Sequence, residues 1–359
     1  MILSNYFSEL FRNPRMLTLI TTYSCGAKCR HCLMNCSPDR TEKLSLSDIE
    51  SSISLFKNAC SGTGVVVFTG GECTLIGNDL FEAIAYTSSI GLLSRIVTNA
   101  WWASSNASTL SMLSELKSCG LSEINFSCDD YHAEFVPIEN VRRAWAATDG
   151  MGFQTVGIAV CHDFSSSITP AFLQRYLDPG GRTPILRRMS GSESGTGMPP
   201  SRFIMDSGVT RIGRARNLEL SQTIPNQELL LASSCPECGR DYVITPNNQF
   251  SPCCGINAAR TWLFELGSAT SRKCHIDSIQ STLLSYLRAI GPGGLLKHLR
   301  STKSTREFGR KVYYSPCEIC EDIGRSPDAK RILLQLIPQL SEELKAEKEF
   351  CQLISGEKQ

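Results

Sequence analysis

The chain has 359 residues, of which 42% are hydrophobic, so it is long enough to bury a sizeable core. Its 36 Lys and Arg balance 35 Asp and Glu, and this near-neutral charge does not favour nucleic acid or an anionic membrane as a partner. We find neither a signal peptide nor an apolar run of the roughly 18 residues that span a bilayer. We therefore expect a cytoplasmic protein, in which 17 cysteines indicate metal or redox chemistry rather than disulfides.

The first predicted strand, residues 16–20, leads into three closely spaced cysteines. Cys25, Cys29 and Cys32 follow a C-x3-C-x2-C pattern in one short loop. Three thiolates can hold three corners of a cubane iron–sulfur cluster and leave the fourth iron without a protein ligand. Such an open iron can bind a cofactor, as the open position of a catalytic zinc site does. The spacing alone leaves zinc as an alternative metal.

Helices and strands then alternate along the chain. Predicted helices span residues 44–60, 79–89, 105–119, 138–148 and 170–177, and predicted strands span residues 64–69, 92–98, 122–127 and 153–161. This alternation predicts an α/β fold with a parallel sheet, closed as a partial (β/α)6 TIM-like barrel. The sixth strand is either residues 185–189 or a segment within 203–212, and the sequence does not decide between them. The two segments flank a turn-rich insertion at 191–200.

Polar and small residues follow the predicted strands, where the chemistry of a parallel barrel collects. Gly70, Gly71 and Glu72 follow the second strand, Asn99 follows the third, and Ser127, Cys128 and Asp129 end or follow the fourth. Paired glycines let the backbone approach a ligand closely. The Glu72 carboxylate is a suitable acceptor for an ammonium group, and Asp129 is a candidate to orient a substrate or to act as a base.

The cysteine triplet and the Gly70–Gly71–Glu72 turn about 38 residues later together resemble the radical S-adenosylmethionine enzymes. Supporting matches are Asn99, Ser127 and Gly157, and the resemblance covers residues 16–216. Two departures are His31, where the family usually has an aromatic residue, and Cys73, where proline is common. Neither departure removes a cluster ligand.

The resemblance implies that Cys25, Cys29 and Cys32 bind a 4Fe–4S cluster whose fourth iron is chelated by the methionyl group of S-adenosylmethionine. It implies that Gly70, Gly71, Glu72, Asn99 and Ser127 surround this cofactor, with Glu72 on the amino group. One electron, from a donor such as flavodoxin or ferredoxin, would then release a 5′-deoxyadenosyl radical that takes a hydrogen atom from the substrate. Cys128 is a candidate to return a hydrogen atom, the alternative being a buried structural thiol.

A second group of cysteines resembles the auxiliary-cluster domains called SPASM and twitch. The predicted ligands are Cys235, Cys238, Cys253, Cys317 and Cys320, and the resemblance implies one auxiliary 4Fe–4S cluster. The choice between Cys317 and Cys320 and between Cys253 and Cys254 stays open. Two C-x2-C pairs also allow a structural zinc site.

The predicted domains are an extension at residues 1–15, a radical S-adenosylmethionine barrel at 16–216, an auxiliary-cluster domain at 217–325 and a helical segment at 326–359. We expect an enzyme that modifies a ribosomally made peptide by crosslinking, thioether formation or epimerisation. The short extension leaves no room for a leader-binding domain, whereas the insertion at 191–200 could help to form a peptide groove. The alternatives are a dehydrogenase or epimerase of a small molecule, and an iron–sulfur or zinc protein that senses or scaffolds.

Overall fold

The computed structural model describes residues 13–187, 200–219, 234–256, 261–264, 266–267, 277–302, 305–309 and 311–355. The chain divides into two compact units. Of the described residues, 13–187, 200–219 and 243–248 form the first unit, and the others form the second. The predicted insertion at 191–200 lies outside the described residues except for Pro200, and most of the predicted N-terminal extension also lies outside them.

The first unit is a mixed α/β structure built on a parallel sheet. Its strands are β1 (Met16–Thr22), β2 (Val65–Gly70), β3 (Leu93–Thr98), β4 (Glu123–Ser127), β5 (Thr155–His162), β6 (Ile185–Arg187) and β7 (Arg202–Gly208), and β8 (Tyr242–Ile244) continues the sheet beyond β1. The order is β6-β7-β5-β4-β3-β2-β1-β8. The seven strands from β6 to β1 pair in parallel, so their carboxyl ends lie at one edge of the sheet.

Helices connect the parallel strands. They are α1 (Leu46–Ala59), α2 (Asn78–Ser89), α3 (Asn106–Ser118), α4 (Asp130–Ala133), α5 (Ile138–Ala147) and α6 (Pro170–Leu177). Serine or threonine side chains cap the amino ends of several of them; Ser45, for example, accepts the Asp48 N–H at the start of α1. Both faces of β1 are buried, since the adjacent residues Leu19 and Ile20 point to opposite faces of the sheet and neither is exposed. The predicted α/β fold with a parallel sheet is confirmed, and its closure into a partial barrel stays a prediction.

Both candidates for the sixth strand form strands. β7 pairs with β5 along Val156–His162, and the three-residue β6 pairs with the outer side of β7. The later segment therefore occupies the position next to β5. The apolar residues Phe203 and Ile204 are buried there, which explains why this segment is the longer strand.

The second unit is mainly helical. Its described elements are β9 (Phe250–Ser251), α7 (Ser278–Ala289), α8 (Pro292–Ser301), α9 (Arg306–Gly309), α10 (Pro316–Arg325), α11 (Pro327–Gln335) and α12 (Ile337–Ser355). The core of this unit includes Leu284, Leu295 and Ile323, all of which are buried. None of the described helices is both long enough and apolar enough to cross a bilayer.

Candidate functional site

The loop that carries the three predicted cluster ligands is held in place by its own backbone. Tyr23 N–H donates to the Glu42 carbonyl at 3.0 Å, and Cys25 N–H donates to the Ser37 carbonyl at 3.2 Å. Ser37 N–H in turn donates to the Tyr23 carbonyl at 3.3 Å. These bonds fold the end of the loop back along its beginning, so the cysteines lie on a preformed turn rather than on a free segment.

The three thiols lie in an apolar setting. Cys25 and Cys29 are buried and Cys32 is partly buried, in a cluster that includes Ile20 and Tyr23. Burial raises the pKa of Cys25 to about 11 and raises the pKa of Cys29 even further. A thiolate at these positions therefore needs a compensating positive charge, which a bound metal supplies.

Hydrogen-bond donors point at the cysteine sulfurs. Ala27 N–H donates to Cys25 Sγ at 3.4 Å, and Cys36 N–H donates to Cys32 Sγ at 3.4 Å. Asn99 Nδ2 lies 3.8 Å from Cys25 Sγ. Because such donors favour the negatively charged sulfur, they match the thiolate ligands that a cluster requires. The buried thiols and their donors fit the predicted iron–sulfur group.

A fourth cysteine lies in the same loop and was not predicted to take part. Cys36 is buried within the same cluster, and its thiol donates a hydrogen bond to Cys32. This bond lowers the pKa of Cys32 and raises the pKa of Cys36. The only signal in the sequence is the position of Cys36, four residues after Cys32.

Arg214, which is distant in sequence from the cysteine loop, donates hydrogen bonds to three carbonyls of that loop. Its Nε donates to the Cys29 carbonyl at 2.9 Å, and its Nη2 donates to the Cys36 carbonyl at 2.6 Å. Its backbone N–H donates to the Cys32 carbonyl at 3.1 Å. Gly213 permits this approach, because a Cβ there would lie 2.2 Å from the Leu33 carbonyl oxygen. The sequence did not indicate this contact between positions so far apart in the chain.

The predicted glycine turn packs directly against the cysteine loop. Gly71 N–H donates to the Thr22 carbonyl at 2.7 Å, and Glu72 N–H donates to the Ser24 carbonyl at 2.9 Å. A Cβ on Gly71 would lie 1.9 Å from the Ser24 oxygen, and one on Gly70 would lie 2.4 Å from the Thr22 oxygen. Only glycine allows the two loops to meet at this distance.

The Glu72 carboxylate is buried and bound by protein donors. One oxygen accepts the Thr74 and Thr98 hydroxyls at 2.8 Å each, and the other accepts the Asn99 N–H at 2.8 Å. Burial raises the pKa of Glu72, and these hydrogen bonds oppose that rise. The carboxylate thus links the turn after β2 to the end of β3. Its predicted contact with a methionyl amino group stays a prediction.

The other predicted cofactor residues lie at the same edge of the sheet. Asn99 directly follows β3, and its Oδ1 accepts the Trp101 N–H at 3.0 Å. Ser127 ends β4 and is partly buried. The contact of Asn99 with Cys25 therefore places Asn99 next to the cysteine loop. The role of Ser127 in binding the cofactor stays a prediction.

Asp129 lies between two histidines rather than facing open solvent. The buried carboxylate accepts from His132 Nδ1 at 2.9 Å with one oxygen, and its other oxygen lies 3.5 Å from His31 Nε2. The His31 ring stacks on Tyr131 with ring centroids 4.7 Å apart. In the described part of the chain, Cys29, His31 and His132 form the one group of three candidate metal ligands whose ligand atoms lie within 4.8 Å of one another.

Charge in this group follows from burial and pairing. Burial lowers the pKa of His31 to about 4, so its ring is neutral near pH 7. Burial also opposes protonation of His132, but the Asp129 carboxylate outweighs it and the pKa of His132 is raised. Burial works against ionisation of Asp129, yet the histidines hold its pKa below the usual value. These contacts are consistent with Asp129 as a residue that positions the histidines, and they are also consistent with its predicted role as a base.

Cys128 is buried at the end of β4. Burial raises the pKa of its thiol, and the charges of Asp129, Asp130 and Glu139 raise it further. Glu139 belongs to α5. Its predicted part in returning a hydrogen atom to the substrate stays a prediction.

The second unit contains the remaining predicted ligands. Cys317 and Cys320 lie in the first turns of α10, where the helix dipole favours thiolates. Burial raises the pKa of Cys320, and charges on Cys317, Cys235, Cys238 and Cys253 raise it further, so these thiols lie near enough to Cys320 to interact electrostatically. Gly255 N–H donates to Cys253 Sγ at 3.2 Å, whereas Cys254 is exposed.

Comparison with known proteins gives consistent similarities. No protein-family model matches the chain. The chain is 22% identical over 310 residues to the putative peptide biosynthesis protein YydG of Bacillus subtilis, and the match covers 85% of this chain and 90% of that protein. The structure of anSMEcpe with bound AdoMet and Cp18Cys peptide overlaps 92% of this chain and 99% of that chain at 12% identity. Its TM-score of 0.48 does not by itself establish a common fold.

A stronger structural match is the crystal structure of Streptococcus suis SuiB bound to S-adenosylmethionine. The match covers 86% of this chain and 78% of that chain, with 14% identity and a TM-score of 0.55. At this level of identity the similarity concerns the fold. The chain therefore shares its fold with a protein that binds S-adenosylmethionine.

Proposed function

We propose that this chain is a radical S-adenosylmethionine enzyme whose 4Fe–4S cluster is bound by Cys25, Cys29 and Cys32. The observation that carries the proposal is the packing of the buried cysteine loop against the Gly70–Gly71 turn, which places two backbone segments in contact at one edge of the sheet. The fold shared with SuiB supports it. When bound, the cluster and S-adenosylmethionine supply a 5′-deoxyadenosyl radical that takes a hydrogen atom from a substrate carbon.

The chain itself positions and shields this chemistry. Arg214 and the Ser37 carbonyl fix the cysteine loop, and the donors at Cys25 and Cys32 favour thiolate ligands. The apolar residues Ile20 and Val243 surround the loop and exclude water from it. Glu72 holds Asn99 beside the loop, and both residues would help to bind the methionyl group of S-adenosylmethionine.

We also propose a peptide as the substrate. The similarity to a putative peptide biosynthesis protein along 85% of the chain supports this class. Residues 217–325 would form the auxiliary-cluster domain, and thiols from the set Cys235, Cys238, Cys253, Cys317 and Cys320, which interact electrostatically, would hold one further 4Fe–4S cluster. An electron donor such as flavodoxin or ferredoxin would supply the electron.

Electron paramagnetic resonance of the anaerobically reconstituted and reduced chain tests the open iron. We expect S-adenosylmethionine to change the signal of one cluster, because it binds an iron that has no protein ligand. Cys25→Ala should abolish that response, and Cys60→Ala, at the end of α1, should retain it. A wild-type signal that does not change when S-adenosylmethionine is added would contradict the proposal.

The substrate class is tested with a short peptide encoded beside the gene. We expect deuterium placed on the modified carbon of that peptide to appear in 5′-deoxyadenosine. Transfer from a small alcohol or sugar, with none from the peptide, would instead indicate a small-molecule dehydrogenase or epimerase.

A further inference from the structure

His31, within the cysteine loop, and His132 both contact the carboxylate of Asp129. Asp129 Oδ1 lies 2.9 Å from His132 Nδ1, and Asp129 Oδ2 lies 3.5 Å from His31 Nε2. The carboxylate is itself fixed, because it also accepts the backbone N–H groups of His132 at 2.9 Å and Cys161 at 3.3 Å. A carboxylate that accepts one N–H of a neutral histidine leaves the lone pair of the other ring nitrogen for a metal.

Each ring has a second nitrogen that Asp129 does not contact. These nitrogens are Nδ1 of His31 and Nε2 of His132, and His31 Nδ1 is buried with no hydrogen-bond partner within the described residues. A buried polar nitrogen without a partner costs free energy, which a ligand at that position would remove. Stacking on Tyr131 fixes the orientation of the His31 ring.

The third ligand is the Cys29 thiol. Ligand atoms of Cys29, His31 and His132 all lie within 4.8 Å of one another. This close spacing suits a single ion, whereas a cubane cluster holds its cysteine ligands farther apart. One thiolate and the imidazoles of His31 and His132 also form a donor set that borderline divalent cations prefer, and a proton held by His132 is released when the ion binds.

We propose that the cluster-free chain binds one divalent cation of the Zn²⁺ or Co²⁺ class at Cys29, His31 and His132, with Asp129 orienting both imidazoles. On binding, the Cys29 thiol releases its proton to solvent, and water completes the coordination of the ion. The site and the cluster exclude each other because both require Cys29. The proposal concerns the chain before the cluster is inserted and stands apart from the proposed catalytic function.

Cobalt titration of the anaerobic, cluster-free chain tests the site. Because cobalt would also bind to the cysteines of the second unit if they form a metal site, the informative quantity is the difference in bound cobalt between variants. We expect His132→Ala to bind one cobalt ion fewer than the wild type. Cys25→Ala and His162→Ala are matched controls that should retain the wild-type number, because Cys25 is outside the group and His162 pairs with Asp206 at 2.7 Å.

Equal cobalt stoichiometry in the wild type and His132→Ala would overturn the proposal, and so would loss of the same ion in Cys25→Ala. Nitrogen-15 spectra of the five histidines in the wild type give a test that needs no variant. Zinc should shift the signals of His31 and His132 and leave those of His162 and His298 in place, and unchanged His31 and His132 signals would also overturn it. Neither result affects the cluster proposal, which is tested on the reconstituted chain.

Discussion

At the scale of single residues, the site depends on a few charged side chains that stabilise buried backbone and thiol groups. Arg214 satisfies the carbonyls of Cys29 and Cys36, and Asp129 joins two histidines. Both residues act on the cysteine loop from elsewhere in the chain. Their substitution should therefore change the stability and metal binding of the loop without removing a cluster ligand.

Arg214→Met removes two charge-assisted hydrogen bonds and leaves two carbonyls without these donors. We expect the free energy of unfolding of the cluster-free chain to fall by about 2 kcal/mol or more, as measured by urea denaturation. Arg30→Met is the control, because the Arg30–Glu134 ion pair is largely exposed and should contribute less than about 1 kcal/mol. An equal loss in the two variants would contradict the role given to Arg214.

Asp129→Asn should change how stability depends on pH. The folded pKa of Asp129 lies below the value of about 3.9 in an unfolded chain, so its charge stabilises the fold above that pH. This contribution is lost as the pH falls through the folded pKa. We expect the acid-induced loss of stability to be smaller in Asp129→Asn than in the wild type. Asp39→Asn, at an exposed position, is the control. If Asp129→Asn loses as much stability at low pH as the wild type and this control do, the prediction is contradicted.

At the scale of elements, the alternation of apolar strands and helices was sufficient to predict the parallel sheet. The Gly70–Gly71–Glu72 turn was also found from the sequence, because paired glycines directly after a strand indicate a close approach of the backbone to another group. The contacts of Arg214, Cys36 and His132 could not be predicted. They join positions as far apart as 185 residues, and no local pattern reports which distant loops meet.

The order of the last strands shows the same limit. Both segments at 185–189 and 203–212 have strand-like composition, and only pairing decides that β7 lies beside β5. Strand pairing is a tertiary property, so the sequence left the two alternatives open.

Gly71→Ala tests the contact between the glycine turn and the cysteine loop. The added Cβ would lie 1.9 Å from the Ser24 oxygen, so one backbone segment must move. We expect a loss of about 2 kcal/mol in unfolding free energy, measured by urea denaturation, together with weaker cluster retention. Gly26→Ala, in the same loop, adds a Cβ that meets nothing within 4 Å and should change stability little. Similar behaviour of the two variants would show that the turn does not support the loop.

At the scale of the whole molecule, two separate cysteine groups occur in two compact units. The first accompanies the parallel sheet, and the second includes Cys317 and Cys320 at the start of α10. If each group holds one cubane cluster, substitution of a ligand in one unit should remove the cluster of that unit alone. The comparison with SuiB concerns the fold and leaves the metal content of the second unit to experiment.

Cys253→Ala should lower the iron content of the reconstituted chain by about four atoms while the first unit still cleaves S-adenosylmethionine. The physical reason is that Cys253 belongs to the thiol group of the second unit. Iron and sulfide analysis gives the count, and Cys351→Ala, at an exposed position in α12, is the control. Stoichiometric zinc in place of the lost iron signal would instead identify a structural zinc site.

The most direct test of the central claim is the formation of methionine and 5′-deoxyadenosine. The reconstituted, reduced chain is incubated with S-adenosylmethionine without oxygen, and both products are quantified. We predict that the wild type and Cys60→Ala form them and that Cys29→Ala forms neither. Absence of both products from a wild-type chain that carries its full iron and sulfide, or equal formation by Cys29→Ala, would contradict the assignment of the cysteine loop as the site of radical formation.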